Sequence, residues 1–148
     1  MTDMTDKLTY EEYLERNGSL TYSNVGTSML PLLRMGRDLF VLEKKGAERC
    51  KKYDVVLYRA RNGSYVLHRV VRVLPDGYVM MGDNNTFREY GVTDDDVIAV
   101  MTRIVRDGVE HSVTEPRYRI YSVLRVGTAP LRIFIFKVKS RLRRVFRG

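Results

Sequence analysis

The 148-residue chain has no tryptophan, four prolines, two histidines and one cysteine. A single cysteine, Cys50, excludes an intramolecular disulfide and any cysteine-based metal cluster. With only His68 and His111 as imidazoles, no histidine ligand cluster is available, and neither a metal nor an organic cofactor is expected. Arg49, Lys51 and Lys52 offer Cys50 a route to a lowered thiol pKa, and an incidental thiol in a basic loop is the plainer reading. Long apolar runs are also missing. Met1 to Lys7 is polar, with no apolar segment behind it, so no secretory signal is expected. Between Leu8 and Val25 the charges of Glu11, Glu12, Glu15 and Arg16 rule out a spanning helix, and Arg125 and Arg132 cut residues 120–136 into runs too short to cross a bilayer.

Acidic side chains are absent from residues 117–148, which hold ten Lys and Arg. The remaining 16 of the 26 basic residues face all 18 acids, so a balance of −2 in the body and +10 in the tail gives the net +8. Such asymmetry implies an anionic partner. Beyond Pro130, Leu131, Phe134, Ile135, Val138, Leu142, Val145 and Phe146 recur at helical spacing on one face, and Arg132, Lys137, Lys139, Arg141, Arg143, Arg144 and Arg147 occupy much of the rest. A basic amphipathic helix over 131–147 suits an anionic membrane surface; packing of its apolar face on the domain is the alternative. Nucleic acid is the least favoured partner, because no helix-turn-helix or aromatic RNA-binding signature is present.

What is abundant is β signal. Asn62-Gly63, Asp76-Gly77 and Asp107-Gly108 each lie between runs rich in Val, Leu, Tyr and Met, the pattern of hairpin turns in an antiparallel sheet. Before them, Thr9-Tyr10-Glu11-Glu12 fits a capping box and predicts a short helix from Tyr10 to about Arg16, ending at Asn17-Gly18. With 44% hydrophobic residues the chain supports one ordinary core. The expected organisation is an N-terminal helical segment over 1–22, a β domain over 23–115 and a basic amphipathic tail over 116–148.

Two residues carry candidate chemistry. A serine hydroxyl becomes a nucleophile when a base removes its proton, and a neutral imidazole does this near neutral pH. Ser28 lies in Gly26-Thr27-Ser28-Met29-Leu30-Pro31, and His68 in His68-Arg69-Val70-Val71. Strand alternation puts Val66, His68 and Val70 on one face and Leu67, Arg69 and Val71 on the other. His111 has no such setting and reads as solvated. Met29 suits packing behind the serine turn, Pro31 fixes the chain's exit through its locked φ, and both are the candidate substrate-contacting positions.

Gly-x-Ser-Met-x-Pro resembles the nucleophile segment of type I signal peptidases. His68-Arg69-Val70 resembles the His-Arg-Val of the endoplasmic-reticulum type, where bacterial members carry Lys-Arg-Val. Gly82-Asp83-Asn84-Asn85 is similar to the family's Gly-Asp-Asn-Asn box, Tyr53-Asp54-Val55-Val56-Leu57-Tyr58 to its Gly-Asp-x-Val-x-Phe strand, and Val97-Ile98-Ala99-Val100 to its closing strand. The likeness runs from about Gly26 to about Val105. It is weaker to LexA-type repressors of the same clan, which use a Ser-Lys dyad and carry a DNA-binding domain. After Pro31 the family's Gly-Asp is split here as Gly36-Arg37-Asp38, and the usual N-terminal membrane anchor has no counterpart.

The resemblance implies a mainly β, signal-peptidase-like antiparallel sheet with a short N-terminal helix and a C-terminal basic helix. It implies a serine endopeptidase that cleaves peptides or leader segments through a Ser28 and His68 dyad or a Ser-His-acid triad. Where the endoplasmic-reticulum enzymes place their aspartate, this chain has Glu89; Asp83 is the other candidate third member. The oxyanion donors would be the backbone N–H of Ser28 and the Thr27 hydroxyl, Gly26 standing where bacterial members often carry a hydroxyl. An extended substrate would pair with a strand edge near Ser28. A cytoplasmic location, peripheral at the membrane, is expected. The alternative is a non-catalytic peptide-binding or membrane-surface adaptor that retains the peptidase fold.

Overall fold

A computed structural model describes residues 8–23 and 26–148; the stretch from Met1 to Lys7, read above as no secretory signal, lies outside them. Helix α1 (Tyr10–Asn17) starts at the expected capping box, with Thr9 accepting from the Glu12 N–H and Glu12 accepting from the Thr9 N–H, and stops at Gly18. It is followed by β1 (Ser19–Ser23), β2 (Asp38–Lys44), β3 (Val55–Arg59), β4 (Tyr65–Leu74), β5 (Gly77–Met81), β6 (Glu89–Val92), β7 (Val97–Arg106) and β8 (Val109–Ser112). The expected boundary at residue 22 falls inside β1, which pairs with β2 and belongs to the sheet.

All pairings are antiparallel, in the order β1-β2-β7-β3-β4-β5-β6, with β8 on the second half of β7. Each of the three Gly-containing turns joins neighbouring strands, β3 to β4, β4 to β5 and β7 to β8. At Asp76-Gly77 the glycine has a further reason: a Cβ on Gly77 would lie 2.3 Å from the Val92 carbonyl oxygen.

The sheet buries both faces. On one, Phe40, Leu42, Leu57, Ala99 and Met101 pack with Leu14 of α1 and with Met29, Leu32 and Leu33 of the serine segment. On the other, Val56, Tyr58, Val70, Tyr78, Met80 and Val97 enclose Cys50. Burial pushes the Cys50 thiol pKa up, so the lowering offered by its basic neighbours is not what the fold produces.

The tail is two helices rather than one. Helices α2 (Pro116–Gly127) and α3 (Ala129–Phe146) are separated by Thr128, itself in right-handed helical geometry. Helix α2 escaped the periodicity reading because polar contacts hold it to the body: Arg69 Nη1 donates to Ser122 Oγ at 2.7 Å, and Tyr121 O–H donates to Asp83 at 2.8 Å. No helix among the described residues is long and apolar enough to cross a membrane.

Candidate functional site

Strand β4 carries the site because its two edges are used unequally. On one side β3 pairs along Tyr65 to Arg69; on the other β5 joins only from Arg69 onward. The chain leaving β5 therefore turns beside His68, through residues 82–85. In this turn Asn84 N–H donates to the Ser28 carbonyl at 2.8 Å and Asn84 Nδ2 donates to the Thr27 carbonyl at 3.1 Å. A Cβ on Gly82 would lie 2.8 Å from the Ser28 oxygen and 2.6 Å from Asn85 Nδ2, so only glycine permits this approach.

His68 is buried, with Nδ1 2.8 Å from Glu89 Oε1. The carboxylate fixes the tautomer: Nδ1–H donates to Glu89, and Nε2 keeps its lone pair. That Nε2 points to the 82–85 turn, with Asn85 Nδ2 at 3.5 Å. Tyr58 O–H donates to the other oxygen of Glu89 in a short hydrogen bond, and its oxygen sits 3.3 Å from Nδ1. The glutamate is thus clamped by two donors. Burial lowers the His68 pKa from the ordinary 6.5, outweighing the upward pull of Glu89 and of the more distant Asp83, and the imidazole is neutral at pH 7. Burial and the hydrogen bond to Glu89 push the Tyr58 phenol far up, so it stays a donor.

Asp83 does not reach His68. It is buried against Arg69 in a two-point pair, Nε to Oδ1 at 2.8 Å and Nη2 to Oδ2 at 2.9 Å, and Tyr121 O–H donates to Oδ2 as well. The expectation that Asp83 orients the imidazole is corrected on this geometry: consecutive residues on a strand face opposite ways, and Asp83 lies on Arg69's side. Glu89 is the carboxylate that the fold brings to the histidine.

The serine segment divides. Ser28 is half-buried, and no hydrogen bond joins its hydroxyl to His68. Thr27 is exposed and its carbonyl is taken by Leu30 N–H and Asn84. Met29, at 0% exposure, belongs to the core and cannot touch a substrate, which corrects the expectation of a contact there and leaves its packing role. Pro31 is exposed after a cis Leu30-Pro31 bond. Farther on, the Gly36-Arg37-Asp38 turn is secured by buried Asp38, which accepts from the Arg34 N–H and from the guanidinium groups of Arg34 and Arg106. These hydrogen bonds overcome the cost of burial and hold the Asp38 carboxyl well below the usual range.

Beside Ser28 lies a largely apolar cleft of about 260 Å³, lined by Leu20, Tyr22 and Ser23 of β1 and by Tyr65, Val66 and Leu67 of β4, with Phe40, Leu42 and Leu57 between them. The sheet curls enough for its first and fifth strands in order to meet there; Tyr10 bridges them, its ring 5.9 Å from that of Tyr22 and 4.8 Å from that of Tyr65. In the described register β1 pairs only with β2, and the first half of β4 only with β3. Each wall of the cleft is a strand with an unpaired edge.

Three residues of this site were not anticipated from sequence: Tyr58, Asn85 and Arg69. Tyr58 had a signal, since it lies two residues from Val56, the register partner of His68, and so shares the histidine's face. No family model, curated protein or solved structure matches the chain.

Proposed function

We propose that the chain is a serine endopeptidase of the signal-peptidase-like kind, with Ser28 as nucleophile, His68 as general base and Glu89 as the carboxylate that orients the imidazole. The observation that carries this reading is the polarity of His68: Nδ1 is committed to Glu89 at 2.8 Å, and the basic Nε2 is turned toward the same 82–85 turn that holds the Ser28 backbone. An extended peptide laid in the cleft finds unpaired strand edges on both walls, the geometry of strand addition, with apolar floor positions for alternate side chains. Ser28 Oγ attacks the scissile carbonyl carbon while His68 Nε2 takes its proton and Glu89 faces the imidazolium that forms. The proton passes to the leaving amine as the C–N bond breaks. Water, deprotonated by His68, then cleaves the acyl ester and restores Ser28. The Ser28 N–H, with the Thr27 hydroxyl, would face the oxyanion. Asn85, 3.5 Å from Nε2, yields that position to the serine hydroxyl on substrate entry.

A fluorophosphonate probe followed by intact-protein mass spectrometry tests this. Stoichiometric labelling on Ser28 that is lost in Ser28→Ala and His68→Ala is the expected result. One observation favours a second reading, a peptide-binding module without chemistry: Ser28 and His68 are not hydrogen-bonded to each other. Absence of labelling at neutral and alkaline pH, with an extended peptide still held in the cleft, would establish that reading instead.

A further inference from the structure

Helices α2 and α3 present two unlike sides. Toward the body, Tyr118, Tyr121, Ser122, Arg125 and Arg132, separated by three, one, three and seven residues, share one helical face and all bond into one place: Arg125 Nε and Arg132 Nη1 each donate to the Asp83 carbonyl at 2.9 Å, Tyr121 to the Asp83 carboxylate, and Tyr118 and Ser122 take Arg69. Away from it, Ile120, Leu124, Leu131, Ile135, Val138, Leu142 and Val145 continue the same helical spacing, four, seven, four, three, four and three residues apart. All are exposed, Leu131 at 58% and Val145 at 72%. Phe134 and Phe146 widen this stripe. An apolar band of this length open to water marks a docking surface.

The charges say what it meets. On an ideal wheel the stripe occupies about a third of the circumference of α3 and contains no charge, with Lys139 and Arg141 at its two margins. Residues 117–148 hold ten cations and no acid. A second copy brought stripe to stripe would face these cationic margins with its own, and a nucleic acid would engage the cations but leave the apolar band in water. An anionic bilayer satisfies both: the band enters the acyl boundary, and the marginal Lys and Arg reach back to lipid phosphates.

We propose that α2 and α3 form an arm that docks in the plane of an anionic lipid bilayer through this stripe. Because the arm's inner side is fixed to Asp83, one residue before the Asn84 that holds Ser28, docking sets the cleft at a constant height and orientation above the membrane. The proposal stands apart from the peptidase reading, since lipid binding is measured without turnover.

Vesicle flotation of the full chain tests it. Binding is expected to phosphatidylcholine vesicles containing phosphatidylglycerol, to be at least tenfold weaker on phosphatidylcholine alone, and to be equal for Ser28→Ala. The double variant Leu142→Ser/Val145→Ser should lose about tenfold or more in partitioning, and Lys139→Glu/Arg141→Glu about 25-fold or more, each cation near the surface being worth roughly fivefold. Both pairs lie on the exposed arm, and unchanged thermal melting would show that the body is intact. Absence of binding to anionic vesicles, binding that survives the serine variant of the stripe, or a stripe-dependent dimer that does not float would each overturn the proposal. Retention on nucleic acid without flotation would overturn it in favour of that partner.

Discussion

His68 and Arg69 are adjacent on β4, both are buried, and each takes a carboxylate from the same short stretch of chain, yet the two pairs differ in kind. Arg69 and Asp83 form a closed lock, a two-point ion pair to which Tyr121 adds a third donor. Hydrogen bonds to Asp83 hold the guanidinium's pKa high although burial works against it. His68 and Glu89 are left open at one end, and burial lowers the imidazole's pKa, so the pair has a basic nitrogen to use. One face of the strand carries a salt-linked lock, and the other carries an imidazole whose Nε2 is turned toward the 82–85 turn. The difference comes from the partner's ability to give up its proton: a guanidinium cannot at accessible pH, whereas an imidazole can.

The largest effect that would break this contrast is on chemistry. Ser28→Ala is expected to remove probe labelling entirely and peptide turnover by on the order of 10⁶-fold, with a melting temperature close to that of the parent. Activity that survives would place the nucleophile elsewhere. Next comes Glu89→Gln, which keeps the size of the side chain but lets the amide donate to Nδ1 and so favours the wrong tautomer. A loss on the order of 10⁴-fold in labelling rate is expected, with Glu89→Asp in between. Asp83→Asn should leave labelling largely intact per folded molecule, and the opposite ranking of the two carboxylates would invert their roles.

On stability the order reverses. Arg69→Ala or Asp83→Ala strands an uncompensated buried charge and should cost about 3–5 kcal/mol in urea unfolding, while Glu89→Gln costs less because Glu89 is partly open to solvent. A double-mutant cycle on Arg69 and Asp83 measures the coupling directly. A small, additive result would mean that the helices, not the ion pair, secure the turn.

Much of the β architecture was readable in the chain. The Asp107-Gly108 turn, with both residues at positive φ, is what such a pair announces, and alternation put His68 with Val66 and Val70, as observed. The choice between Glu89 and Asp83 was not readable. It depends on which side of β4 the 82–89 segment crosses, a matter of where β5 stops pairing, at Met81 opposite Arg69, and no local pattern encodes that. Met29 was legible only in part: a methionine after a candidate nucleophile suits contact or packing, and burial on the sheet decides for packing. Helix α2 was hidden for a different reason. Its inner face is polar, and its partners Arg69 and Asp83 are about 40 to 50 residues away in sequence, so a search for apolar periodicity passes over it.

The smallest predicted effect is on pH, and it separates the two pairs by titration. His68 titrates lower in the fold than its ordinary 6.5. Between those two values the unfolded chain binds a proton that the native chain does not, so protonation pulls toward unfolding. The contribution of His68 is therefore fully present above about pH 6.5 and is lost as pH falls through the lowered native value. On the proposed mechanism, in which only the neutral imidazole accepts the serine proton, probe labelling should fall in the same direction, with a midpoint under 6.5. Chemical denaturation at half-unit steps from pH 7.5 to 5, run on the parent and on His68→Gln, isolates the slope that belongs to this residue. A variant curve parallel to the parent's would mean that His68 titrates alike in both states and is not desolvated as its burial requires. A parent that gains stability on acidification relative to the variant would mean that Glu89 dominates the site, with the imidazolium as its resting form and no base at hand for Ser28.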